Sequence, residues 1–140
     1  MEERHYELDE SERSKLLEKI SDFLMGRDEI RFAYAYGSFI ESLPFHDIDI
    51  GTYLEEDYFS KTDTLEYILD ISEQLRRLVR FPVDVQVINR ASLGFQFNVT
   101  RGRLLSCRDE EFRLKFVERV RRDYYDFEPM ARQILREVLR

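Results

Sequence analysis

The chain has 140 residues, 43% hydrophobic and 36% charged, with a net charge of −7. That length sets one domain with a single sizeable core and excludes a catalytic domain joined to a full second substrate domain. The composition is that of a folded globular chain, no apolar run is long enough to span a bilayer, and the acidic balance argues against a general nucleic-acid binder.

The first helix is predicted to start near Asp9 or Ser11, where Asp9 and Glu12 have capping-box spacing. Leu16, Leu17, Ile20, Phe23 and Leu24 fall on one of its faces, and Gly26 is the expected stop. Residues 31–36 read as a buried strand, interrupted by Gly37-Ser38. A short turn or helix is expected from Phe39 to Leu43, closed by Pro44. In residues 47–54, Asp and Ile alternate at period two, which predicts a strand. Glu55-Glu56-Asp57 reads as an acidic connection. A helix is expected from about Thr62 to Arg80, with Leu65, Ile68, Leu69, Leu75, Leu78 and Val79 as its apolar stripe.

Beyond Pro82, residues 83–88 predict another strand, residues 89–99 a short helix, and residues 103–106 a short strand. Asp109-Glu110-Glu111 places negative charge where a helix N-terminus favours it. That helix should run to about Tyr125 with Phe112, Phe116, Val117, Val120 and Tyr124 inward. Pro129 suits the first turn of a separate last helix, with Met130, Ile134, Leu135, Val138 and Leu139 as its stripe. Tyr124, Tyr125 and Phe127 sit at the junction, as a helix–helix contact or a partner-binding patch. Residues 1–100 carry 11 basic and 21 acidic side chains, and residues 101–140 carry 11 and 8. The exposed Arg119, Arg121 and Arg122 therefore read either as a solvated face or as a surface for an acidic partner.

The chemistry concentrates in three short stretches. Asp47 and Asp49 are two apart on a strand, so their carboxylates leave the same face, about 6–7 Å apart along the backbone. Asp84, flanked by Val83 and Val85, has the same character on the next strand. Three carboxylates converging on one face repel unless a cation lies between them, and Mg²⁺ takes oxygen ligands that it shares with substrate phosphates. Gly37 lets the backbone approach a phosphate closely, and Ser38 offers a hydroxyl to it. His46 precedes Asp47 and reads as a loop histidine or a contact to the acidic cluster. One cysteine, Cys107, and two separated histidines argue against a structural zinc site and against an internal disulfide. With the charged N-terminal stretch, this makes the cytoplasm the expected location.

The order Tyr36-Gly37-Ser38, Asp47-Ile48-Asp49, helix, Val83-Asp84-Val85 resembles the polymerase-β-type nucleotidyltransferase superfamily, and its minimal MNT members in particular. Gly102-Arg103-Leu104-Leu105, Arg108-Asp109 and residues 124–127 extend the likeness to roughly residues 10–140. The resemblance implies an α/β (α+β) nucleotidyltransferase fold: a small mixed sheet flanked by helices, here with a C-terminal helical pair, as one domain over residues 1–140 with a helical extension from about 107. It implies Asp47, Asp49 and Asp84 as catalytic and metal-binding residues, Gly37 and Ser38 as nucleotide-binding residues, and Mg²⁺ with ATP. It also implies a HEPN-type toxin as partner, neutralised by AMP transfer to a hydroxyl, in a homo- or hetero-oligomer. The sequence departs from the family after Gly-Ser, where Phe39-Ile40-Glu41-Ser42 stands in place of a small residue, Arg and Gly; Glu41 brings a negative charge near the phosphate loop. Two other classes fit the same residues: a non-catalytic module that neutralises a partner by binding, and a small-molecule nucleotidyltransferase that borrows its pocket from a second subunit.

Overall fold

The structure is a computed structural model that describes residues 4–41 and 43–139; Ser42, inside the expected turn after Gly37-Ser38, lies outside them. The elements in order are α1 (Glu10–Met25), β1 (Ile30–Tyr36), β2 (Ile48–Leu54), α2 (Glu56–Lys61), α3 (Thr64–Val79), β3 (Val83–Val87), α4 (Leu93–Thr100), β4 (Arg103–Cys107) and α5 (Glu110–Val138). The four strands form one mixed sheet in the order β3-β2-β1-β4. β1 is antiparallel to both β2 and β4, and β2 is parallel to β3. The α2–α3 segment makes the crossover that a parallel pair needs.

Side chains alternate across the sheet and build two cores. Ala33, Ala35, Ile48, Ile50, Val83 and Val85 face α1 and α3, where they meet Ile20, Leu24, Ile71 and Leu75. Phe32, Tyr34, Tyr36 and Tyr53 face α4 and α5, where they meet Val99, Phe116, Val117 and Val120. α1 begins as its sequence predicts: Asp9 accepts from the Glu12 amide at 2.8 Å and Glu12 returns the bond to the Asp9 amide.

Four expectations are corrected. Glu55-Glu56-Asp57 is not an open connection: Glu56 and Asp57 begin α2, their charge lying at the N-terminus of a short helix. On α3 the buried residues are Tyr67, Ile71, Leu75 and Val79, while Leu65, Leu69 and Leu78 are exposed. Two stripes of similar apolarity compete there. The tertiary partner decides: the Tyr67 hydroxyl donates to Glu29 at 2.8 Å, which turns that side of the helix inward. The C-terminal helical pair is one continuous helix, α5, with Pro129 inside it. Pro129 removes one backbone donor, but at an exposed position water can take the freed carbonyl. The stripe expected to pack, Met130 to Leu139, is exposed instead. Among the described residues, no helix is long and apolar enough to cross a membrane.

The end of β2 is held by one buried side chain. Asn89 accepts from the Leu54 amide at 2.9 Å and donates to the Leu54 carbonyl at 2.8 Å. Asn89→Ala leaves both backbone groups of a buried residue unpaired, so urea unfolding should show a loss of about 2–4 kcal/mol.

Candidate active site

The site lies at the end of the sheet where β1 runs out and β2 and β3 begin. Parallel pairing puts Asp49 directly opposite Asp84, and Asp47 stands just before β2. One carboxylate oxygen from each of Asp47, Asp49 and Asp84 lies within 4.8 Å of the others, and all three residues are half-buried. The sequence-predicted triad is thus brought together on the face that α4 and α5 cover.

The electrostatics follow from that crowding. Burial, then the charge and hydrogen bond of Asp47, then the charge of Asp84 push the Asp49 carboxyl up from 3.8 to about 7. Gln86 donates to Asp84 Oδ1 at 2.9 Å. Tyr36 is buried beside the three carboxylates; burial first, then Asp49, Asp84 and Asp47, raise its phenol above the ordinary value. Three half-buried carboxylates with one amide donor between them form an all-oxygen, net-negative donor set. That set fits a hard divalent cation.

Gly37 closes the site from the β1 side. Its φ is +84°, and a Cβ placed there would lie 2.7 Å from Asp49 Oδ2. Only glycine lets the loop backbone pass this close to the carboxylate. Ser38 is half-buried, and its carbonyl accepts from the Leu43 amide at 3.1 Å. The Ile40 and Glu41 amides both bond the Gly37 carbonyl, which makes the segment a turn. The turn is pinned from behind: the Arg13 guanidinium donates to the Phe39 carbonyl and stacks over the Phe39 ring, 5.1 Å from its centroid. Glu41 is exposed. His46 is also exposed; its Nδ1 lies 3.1 Å from the Arg4 carbonyl and its ring against His5, so it serves the N-terminal segment.

Sequence reasoning left Tyr36 and Gln86 without roles beside the triad. Both carry the signal that found the aspartates, period-two spacing: Gln86 follows Asp84 by two, and Tyr36 ends the Phe32-Tyr34-Tyr36 face. Phe95 on α4 packs edge-on against Tyr36, centroids 5.7 Å apart, and so connects the site to the helical layer.

Comparison with known proteins agrees with this geometry. Residues 18–111 match the polymerase beta nucleotidyltransferase family. The chain belongs to that family. Among curated proteins none matches the chain. Solved structures share the fold. A chain of the tri-AMPylated Shewanella oneidensis HEPN toxin in complex with MNT antitoxin is 18% identical, with a TM-score of 0.68 over 91% of this chain and 99% of that one. A toxin–antitoxin structure with AMP-PNP is 18% identical, TM-score 0.66, over 95% and 100%. A chain of a toxin–antitoxin MntA–HepT variant is 19% identical, TM-score 0.66, over 96% and 100%.

Proposed function

We propose that this protein is an antitoxin that transfers AMP from ATP to a hydroxyl of a HEPN-type toxin. The observation that carries the reading is the convergence of Asp47, Asp49 and Asp84 beside the Gly37-Ser38 turn in a chain of the nucleotidyltransferase family. The solved structures of similar fold support the partner and the nucleotide, since they include an AMPylated HEPN toxin and an AMP-PNP complex.

In this reading Asp47, Asp49 and Asp84 hold Mg²⁺, which neutralises phosphate charge when bound. Gly37 and Ser38 orient the triphosphate, and Tyr36, packed edge-on by Phe95, walls that edge of the site. The acceptor oxygen attacks the α-phosphorus. The bond from that phosphorus to the β-phosphate bridging oxygen breaks, and pyrophosphate leaves. Asp84 takes the acceptor proton. In this reading the chain acts as one domain, in the cytoplasm, and its helical extension, expected from about 107, is α5 from Glu110, since Cys107 pairs in β4.

The test mixes the purified protein with Mg²⁺, ATP and the neighbouring-gene product, the expected HEPN-type chain, and records intact masses. A gain of one or more AMP units on the partner, lost with Asp47→Asn, is the expected result. A stable complex with no mass gain would identify a binding module instead.

A further inference from the structure

The last third of α5 carries an apolar face that nothing among the described residues covers. α5 has 29 residues, about 43 Å of helix. Its inner seam runs at alternating spacings of three and four: Val117, Val120 and Tyr124, then Phe127, Ala131, Ile134 and Val138. The first part is packed. Val117 and Val120 are buried, and Tyr124 stacks on Phe97 of α4 with ring centroids 3.8 Å apart. The second part continues the same seam beyond α4, and Phe127, Met130, Ile134, Leu135 and Val138 are all more than half exposed.

The size of this face is informative. At about 200 Å² for a fully exposed large apolar residue, these five and Leu139 present roughly 700 Å². That exceeds the apolar patches of ordinary monomer surfaces and approaches the ~800 Å² that one partner contributes to a standard interface. The three-four spacing is that of a helix–helix seam, which suits an α-helix as the complementary element.

We propose that this seam docks an amphipathic helix of the acceptor protein and so holds it beside the active site. The proposal rests on the transfer reading given above. Position favours the acceptor over a second copy: the seam starts at Tyr124, Tyr124 stacks on Phe97, and two residues earlier Phe95 packs on Tyr36 beside the triad. A helix bound there abuts α4, the helix whose Phe95 packs on Tyr36. Charge adds a preference. Of the charged residues that flank the seam, Arg121 is basic and Asp123, Glu128 and Glu137 are acidic. The docked helix therefore carries Lys or Arg along its flanks, opposite Glu128 and Glu137.

The test uses the full chain and the purified HEPN-type partner, with affinity measured directly by calorimetry and transfer measured separately. Ile134→Glu combined with Val138→Glu should weaken partner binding ~100-fold or more, because each buries a charge in the seam. Glu137→Arg should weaken it less and mainly slow association. MgATP binding should stay unchanged in both. Leu69→Glu, an exposed apolar site on α3, is the control and should leave the affinity intact. Where transfer occurs, the seam variants should raise KM for the partner and leave kcat nearly unchanged. Binding is scored without turnover, so a partner that docks without being modified would overturn the transfer reading and keep the docking surface. Unchanged affinity in the double variant would overturn the proposal. So would a free protein that is a dimer in sedimentation and becomes a monomer with Ile134→Glu, since a second copy would then cover the seam.

Discussion

Asp49→Asn should abolish AMP transfer and at the same time stabilise the metal-free protein. The two effects have one cause. Asp49 is held between Asp47 and Asp84 in a half-buried position, which moves its carboxyl from 3.8 to about 7. The folded state therefore binds more protons than the unfolded chain between those values, so stability falls as pH rises from about 4 to 7 and the penalty is complete above 7. Asparagine keeps the shape and removes the charge. Its amide can donate to Asp47, as the protonated carboxyl does. After discounting for solvent screening at a half-exposed group, the variant should gain about 1–2 kcal/mol near pH 8, roughly 3–6 °C in Tm. The gain should shrink towards pH 4.

Transfer should fall by about 10³-fold or more, since a third of the charge that offsets the phosphates' counter-ion is gone. Mg²⁺ with nucleotide should then reverse the stability order, because only the parent has the full donor set and gains by mass action. Thermal melts in EDTA and in Mg²⁺, at about pH 8 and pH 4.5, check all of this. A variant that is less stable than the parent in EDTA near pH 8 would show that the triad is not electrostatically strained. Full transfer by both Asp47→Asn and Asp49→Asn would remove these residues from the chemistry.

The acidic triad was legible because strand periodicity is local. Asp47, Ile48, Asp49 and Ile50 declare their two faces within four residues, and Val83-Asp84-Val85 repeats the pattern, so only the pairing of the strands had to be supplied. The capping of α1 by Asp9 and Glu12 was legible for the same reason. The register of α3 was not. Leu65 and Leu69 compete with Tyr67 and Ile71 on apolarity alone, and the Tyr67–Glu29 hydrogen bond that breaks the tie joins residues 38 apart in the chain. Pro129 misled in the opposite direction: as a local signal it starts a helix, yet continuous seam spacing on both sides of it carries α5 through. The stripe Met130, Ile134, Leu135, Val138 and Leu139 predicts packing yet lies exposed, because periodicity reports amphipathicity without saying which molecule supplies the other half. Tyr36 and Gln86 gained their place only when β1 and β3 came to flank β2.

Gly37→Ala should lower transfer about 10²-fold while leaving a folded protein. Two separable effects act at this position. The first is conformational: at φ +84° an alanine is strained whatever its surroundings, by about 1–2 kcal/mol. The second is steric: its Cβ would meet Asp49 Oδ2 at 2.7 Å, so the carboxylate must move. A displacement of a few tenths of an ångström is enough to spoil a donor set shared by three residues, so Mg²⁺-induced stabilisation should drop with transfer. Ser38→Ala, which changes neither φ nor the approach to Asp49, should have a smaller effect on both. A double-mutant cycle separates the two contributions. In an Asp49→Ala background the clash partner is gone, and Gly37→Ala should then destabilise by the backbone strain alone. If the destabilisation is the same in both backgrounds, the close approach of Gly37 to Asp49 contributes nothing, and the glycine is required only for the turn.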